Sequence, residues 1–353
     1  MEEDIRSKYR NCDDYSTILK VDEFGFVIGS GDCVEDKFSR IYKSEWEEIL
    51  DSNSRNLNNL KEKIQNRQLL QRGIPPNLRK RIWKLLLIKN SDSIQVKPYR
   101  KDYKEAASNL FYKKIIPQKS NYEKSDKDLK NSFDILKAKS SEYEYQIHVD
   151  IQRTFRKHYL FYNPFGKGQL ELFNLLVAFA NAYDEVGYCQ GMSDIAAIFL
   201  IHFSEAEAFE MMVTFFKVNE LEKIFDKNFT KLPQLLKTQN EFLAILTPEI
   251  HSHLSKNITA VQMSFVSWYL TLFSRFPIKL TLCVWDYMMF YGYKVILYFV
   301  CAIFYVNRKE IFGLTGESLV LYISKLQEKQ IDENEVVDMV ALFMKKFQIK
   351  KLN

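Results

Sequence analysis

An all-α fold is predicted by three observations: few helix breakers, many large apolar side chains, and apolar residues recurring every three or four positions. The 353 residues include only 11 Gly and 8 Pro, while 46% are hydrophobic and 14% aromatic, with 27 Phe and 20 Tyr. Long ordered elements around a large interior follow from that balance. Segments alternating apolar and polar with period 2 are almost absent, which argues against sheets. No repeat of fixed period occurs, so a solenoid of identical units is not expected.

Taken in order, residues 1–60 are mixed. Val21 to Ile28 reads as a short strand or an extended stretch, and Gly29-Ser30-Gly31-Asp32 as a turn with no following G-K-[ST], hence no phosphate loop. Residues 44–70 suggest a helix or helix pair through Trp46, Ile49, Leu50, Leu57, Leu60 and Ile64. Gly73-Ile74-Pro75-Pro76 ends one element and opens another, whose stripe is Leu78, Ile82, Leu85 and Leu86. Residues 91–146, rich in Lys and Ser, are expected to be loops and short exposed helices. Ile147, Ile151 and Phe155 form an i, i+4, i+8 stripe that predicts a helix over 144–158. Asn163 to Gly166 is a turn, and 168–186 a strong helix. Gly187 to Gly191 breaks it before an apolar helix from Ser193 to His202. Further helices are expected at 205–217, 232–246, 258–274, 279–306, 316–328 and 333–347, the last with Asp332 as N-cap.

Several function classes are disfavoured. The net charge of +5 comes from 50 basic and 45 acidic residues that are interspersed, with no basic stripe, so no nucleic-acid partner is expected. The Lys345, Lys346, Lys350 and Lys351 cluster reads as a solvated helix face. Cys12, Cys33, Cys189, Cys283 and Cys301 are scattered and odd in number, which fits a reducing compartment rather than a disulfide framework or zinc site. His251-x-His253 is on its own a weak signal, so no metal is expected. No apolar leader opens the sequence and no prenylation box closes it. Residues 287–306 imitate a membrane span, but Lys294 interrupts them and the apolar run from Val295 to Val306 is only 12 residues. A core helix buried on all sides is the expectation.

Asp150 and Arg153 are an i, i+3 pair, which alone would be a surface salt bridge worth a few tenths of a kcal/mol, roughly. Gly187 to Gly191 alone would be a connector with glycines at positive φ. Read together and in order, three motifs say more. Arg72-Gly73-Ile74-Pro75-Pro76 is followed by Leu78-Arg79 and Trp83. Then I-x-x-D-x-x-R-T appears as Ile147, Asp150, Arg153 and Thr154, and G-Y-x-Q-G-M as Gly187, Tyr188, Gln190, Gly191 and Met192. Weaker features follow: Pro248 with Leu254; Phe265, Trp268, Thr271, Leu272 and Phe273; Val284-Trp285-Asp286 with Gly292. Over about residues 70–310 the sequence resembles the TBC domain, the GTPase-activating module for Rab-family small GTPases. Two positions depart from that pattern: Arg156 stands where a proline often follows, and Gln71 where a basic residue is frequent.

The resemblance implies an all-α, TBC-type domain with two helical subdomains. It would span 67–313, with a mixed, partly helical N-terminal extension over 1–66 and C-terminal helices over 314–353 packing on it. It further implies a catalytic GTPase activator acting in trans, with no substrate pocket of its own. Arg153 would be an arginine finger and Gln190 a glutamine finger, with Asp150, Thr154, Tyr188 and Gly191 in support. The partner would be a GTP-bound Rab, which carries the GTP and Mg²⁺, so no cofactor belongs to this chain. The expected setting is vesicle trafficking in the cytoplasm, with peripheral membrane association only through the partner. The residue types suit the task. A guanidinium is always charged and offers a planar fork of donors to phosphate oxygens, and a glutamine amide both donates and accepts, so it can hold a water in line. The rival expectations are a TBC-like scaffold without catalysis and a helical adaptor unrelated to GTPases.

Overall fold

The computed structural model describes residues 5–9, 21–27, 40–53, 57–91 and 125–352. In chain order the α-helices among them are α1 (Arg40–Asn53), α2 (Leu57–Asn66), α3 (Pro76–Ser91), α4 (Ser125–Ala138), α5 (Glu144–Ile151), α6 (Lys167–Ala182), α7 (Met192–His202), α8 (Glu205–Val218), α9 (Glu222–Phe225), α10 (Leu232–Leu246), α11 (Pro248–Leu254), α12 (Ile258–Leu270), α13 (Ile278–Tyr291), α14 (Ile296–Val306), α15 (Arg308–Phe312), α16 (Gly316–Ser324) and α17 (Glu333–Leu352). No β-strand forms among the described residues; only isolated bridges link Val21 with Val27 and Phe26 with His158. The all-α expectation holds. Two compact units are present, Met1–Phe38 with Pro76–Asn228, and Ser39–Pro75 with Phe229–Asn353.

In the first unit α6 is the axis. Leu172, Phe173, Leu175, Leu176, Val177 and Phe179 are all buried, and α4, α5, α7 and α8 pack around it. Such all-round apolarity is what a helix enclosed on every side requires. α7 follows the same rule, buried from Met192 to Leu200. α8 opens with a Ser204–Glu207 capping box, and Lys80 of α3 reaches the same Glu207 carboxylate at 2.7 Å. Burial alone would raise that carboxyl's pKa. The hydrogen bonds from Lys80 and Ser204 outweigh it and pull the value down to about 2.

The second unit is built on α14, which is apolar throughout and packs extensively on α17. Here the segment resembling a membrane span is resolved into two helices. Gly292, at φ 84°, closes α13, a 3₁₀ turn over Tyr293–Val295 follows, and α14 starts at Ile296. Lys294 sits exposed in that break, so its ammonium never enters the interior. Among the described residues no helix is long and apolar enough to cross a membrane. Trp46 is fully buried and donates its Nε1–H to the Gly73 carbonyl at 3.1 Å, fixing the end of the 3₁₀ turn Leu69–Arg72.

Other boundaries differ from expectation for local reasons. The 279–306 helix is two, because a glycine at positive φ ends the first. The 144–158 helix stops at Ile151, and Phe155 takes φ 43°, outside any right-handed helix. The 168–186 helix is Lys167–Ala182, with Tyr183 and Val186 buried beyond its end. Within 91–146 lies the 14-residue α4, whose Phe133 and Leu136 are buried, in place of short exposed pieces. Asp332 does cap α17, its Oδ1 accepting the Asn334 N–H at 2.8 Å. Residues 29–32, 92–124 and the two cysteines Cys12 and Cys33 lie outside the described residues.

Candidate functional site

The site grows from α5. Ile147 and Ile151 are fully buried and seat the helix on α6. That orientation carries Asp150 inside, at 1% exposure, while Arg153, just past the helix end, keeps a side chain 54% exposed. The Asp150 carboxylate is shared. Its Oδ1 accepts Arg153 Nη2–H at 2.7 Å, and its Oδ2 accepts the Tyr188 hydroxyl at 2.7 Å. Both are short, charge-assisted bonds. A carboxylate taken from water must be compensated on its lone pairs, and here one partner comes from the turn after α5 and the other from the loop before α7.

Thr154, also buried, gives its hydroxyl proton to the Asp150 carbonyl at 2.9 Å, so Ser193 Oγ at 2.8 Å must donate to it in turn. α5 and the start of α7 are thereby joined by a second polar contact. Burial first, then the bond to Asp150 and its charge, push the Tyr188 phenol well above its usual range, so it remains a donor. The same two causes, burial and the Asp150 charge, hold the neighbouring Cys189 thiol up at about 11, far from a thiolate nucleophile.

The Gln190 loop is shaped by its glycines. Gly187 sits at φ 60° and Gly191 at φ 103°, the second serving as the N-cap position of α7. Gly187 has a second reason to lack a side chain: a Cβ there would lie 2.4 Å from the Tyr143 ring and hydroxyl. Tyr143 directly precedes α5, so a packing contact ties the start of that helix to the loop. Gln190 itself is exposed, and its side chain has no hydrogen-bond partner among the described residues. The arrangement therefore presents a half-fixed guanidinium and an uncommitted amide from two elements braced on one buried carboxylate.

Residues 76–312, well over half the chain, match the family model of the Rab-GTPase-TBC domain. The chain belongs to this family. Among similar proteins are TBC1 domain family member 4 of Mus musculus, 31% identical over 228 residues (64% of this chain, 16% of that protein), and the ecotropic viral integration site 5 protein homolog of Homo sapiens, 26% identical over 310 residues (88% and 33%). The Rab GTPase-activating protein tbc-11 of Caenorhabditis elegans is 27% identical over 256 residues (72% and 24%). The chain thus spans a third or less of the length of these relatives. Two crystal structures share the fold: the Chlamydomonas flagellar RabGAP TBC domain, with TM-score 0.60, 16% identity and coverage of 91% and 99%, and the Ypt/Rab-GAP domain of Gyp1p, with 0.63, 14%, and 87% and 99%.

In this TBC domain all six residues singled out in the sequence fall in the first unit, on α5, the turn after it and the loop into α7. Tyr188 does not bond Arg153 directly; it reaches it through Asp150. Two further residues, beyond the six, hold these elements together. Ser193 anchors Thr154, and its only sequence signal is a small polar residue opening an apolar helix. Tyr143 covers Gly187, and nothing in its local pattern announces that contact.

Proposed function

We propose that this chain accelerates GTP hydrolysis by a Rab-family small GTPase in its GTP-bound form, lending Arg153 and Gln190 in trans. One observation carries the reading. A buried carboxylate, Asp150, is held by Tyr188 and in turn holds an exposed arginine. An exposed glutamine stands two residues beyond Tyr188.

Phosphoryl transfer to water needs charge neutralisation on the transferring group and an oriented nucleophile rather than covalent chemistry. The guanidinium answers the first need. One of its N–H groups is committed to Asp150, which limits its rotamers before the partner arrives, and its other donors remain for phosphate oxygens. An arginine supplied in trans is worth about 10³–10⁵ in rate. The Gln190 amide answers the second need by positioning water. GTP and Mg²⁺ are carried by the partner, and membrane association would be peripheral, through that partner, in vesicle trafficking on the cytoplasmic side of endomembranes.

The deciding experiment is single-turnover GTP hydrolysis against a panel of Rab proteins, paired with binding to Rab loaded with GDP and aluminium fluoride. A catalyst binds the transition-state mimic more tightly than the ground state. Acceleration on at least one Rab with preference for the mimic supports the reading. Equal affinity for the mimic and a non-hydrolysable GTP analogue, with no acceleration, assigns a scaffold instead.

A further inference from the structure

Both ends of the finger helix are gripped by residues that precede the family-matched region. Before α5, Arg6 makes a bidentate pair with Glu144 at 2.7 and 3.1 Å and donates to the carbonyls of Lys137, Ala138 and Lys139. Tyr9, buried, bonds His148 of α5 at 3.0 Å and stacks on Phe173. After α5, residues 21–27 form a tight turn in which Asp22 Oδ1 accepts the N–H groups of Phe24 and Phe26. This turn lies along the chain just past Arg153. Val27 N–H donates to Lys157 O at 2.7 Å, Tyr159 N–H to Gly25 O at 2.9 Å, and His158 Nε2–H to Phe24 O at 2.9 Å. The Phe26 ring packs against Phe155 and His158, with centroids 5.9 and 5.1 Å away.

Phe155 is the residue that needs such support. Its left-handed backbone at φ 43°, two residues after Arg153, is unfavourable for a bulky side chain and persists only where its surroundings enforce it. The fit of the turn is close: a Cβ on Gly25, at φ 86°, would lie 2.6 Å from His158 Nε2 and 2.8 Å from the Tyr159 ring.

We propose that residues 21–27 are a strap that sets the direction of Arg153, with Gly25 and Phe26 as positioning residues acting through the strained Phe155 turn. The proposal rests on the GTPase-activating reading. The strap touches neither finger; it fixes the backbone from which the arginine departs.

The test uses the full chain with Phe26→Ala, Gly25→Val and Phe26→Leu. On a responsive Rab, Phe26→Ala and Gly25→Val should each lower kcat at least about tenfold, since small misplacements of a catalytic group are costly in rate. KM and affinity for Rab with a non-hydrolysable GTP analogue should stay within about twofold. Phe26→Leu keeps an apolar contact on Phe155 and should recover to within about threefold of the wild type. Amide hydrogen exchange should rise at 153–159 in the first two variants and not in the third. Unchanged kcat and exchange in Phe26→Ala would overturn the strap while leaving the activity reading intact. Parallel loss of kcat, affinity and melting midpoint would also overturn it, as general destabilisation. If the wild type is inert on every Rab, the activity reading fails, and exchange alone judges the strap: a local rise at 153–159 supports it and no rise refutes it.

Discussion

Removing one oxygen tests the site most directly. Tyr188→Phe keeps the ring, 8% exposed, and deletes only the hydroxyl that reaches Asp150 Oδ2 at 2.7 Å. The bond is to a charged acceptor with 1% exposure, so its loss should cost about 1.5–3 kcal/mol, including the oxygen left unsatisfied. For a unit of this size that corresponds to about 3–12 °C in the melting midpoint. The functional effect follows from the same geometry. With Oδ2 released, the carboxylate can rotate and Arg153 loses its fixed acceptor, so kcat should fall about 10- to 100-fold. Thermal or urea unfolding and single-turnover hydrolysis measure the two effects, and a double-mutant cycle with Asp150→Asn should return a coupling of at least about 1 kcal/mol. The sign with pH is also determined. Because burial, with Asp150 behind it, raises the folded phenol's pKa, its stabilisation is fully present below the unfolded value of about 10 and is lost as pH climbs above it. The gap between wild type and variant should therefore hold to about pH 10 and then narrow. A variant melting within about 1 °C of the wild type would refute the shared-carboxylate account.

Four further outcomes follow. Arg153→Ala and Arg153→Lys should both lose most of the acceleration, because an ammonium cannot reproduce the planar fork; near-full activity of Arg153→Lys on a responsive Rab would remove the finger assignment. Gln190→Ala should lose turnover at an almost unshifted melting midpoint, as its side chain is exposed, and a Rab whose own catalytic glutamine is changed to Leu should still respond to the wild-type chain. Should the Rab variant be unresponsive while Gln190→Ala stays active, Arg153 works alone. Burial lowers His158 from about 6.5 to about 4, so its contribution is complete above about pH 6.5 and fades as pH falls toward 4, by up to about 3 kcal/mol; His158→Gln should flatten that part of the unfolding profile. Gly187→Ala adds a methyl 2.4 Å from the Tyr143 hydroxyl at φ 60°, and should melt lower by an amount equivalent to about 1–3 kcal/mol.

The helical core was legible because burial leaves a periodic trace. Ile147 and Ile151 appear as a stripe in the sequence and as fully buried residues in the fold. Phe155 extends that stripe by one repeat yet lies outside the helix, at φ 43° and with its ring beside Phe26. α4 is hidden in a Lys- and Ser-rich context, where Phe133 and Leu136 are nonetheless buried. Gly292 was visible as a residue but not as a break, since a glycine inside an apolar run is silent until its φ is known. At the site, the ordered motifs identified Asp150, Arg153, Tyr188 and Gln190, and the i, i+3 spacing paired Asp150 with Arg153, but nothing in it joined Tyr188 to Asp150. The route from Tyr188 to Arg153 through Asp150 depends on two elements meeting, which spacing along the chain does not encode. The strap is the extreme case: VDEFGFV has no periodicity, and only the glycine within it hints at a turn.

The second unit is assembled from two stretches separated by residues 76–228. During synthesis this imposes an interval. Trp46, Ile49, Leu50, Leu60 and Ile64 emerge from the ribosome long before the chain from Phe229 onward that shares their interior, as Lys61 does in lying over the Phe290 ring. At about 5–20 residues per second the intervening segment takes roughly 8–30 s to translate. Helix–coil exchange is complete within microseconds, so α1 and α2 have ample time to form. Until the chain from Phe229 onward is made, α1 and α2 have only each other and the 3₁₀ turn Leu69–Arg72 to pack against within that unit.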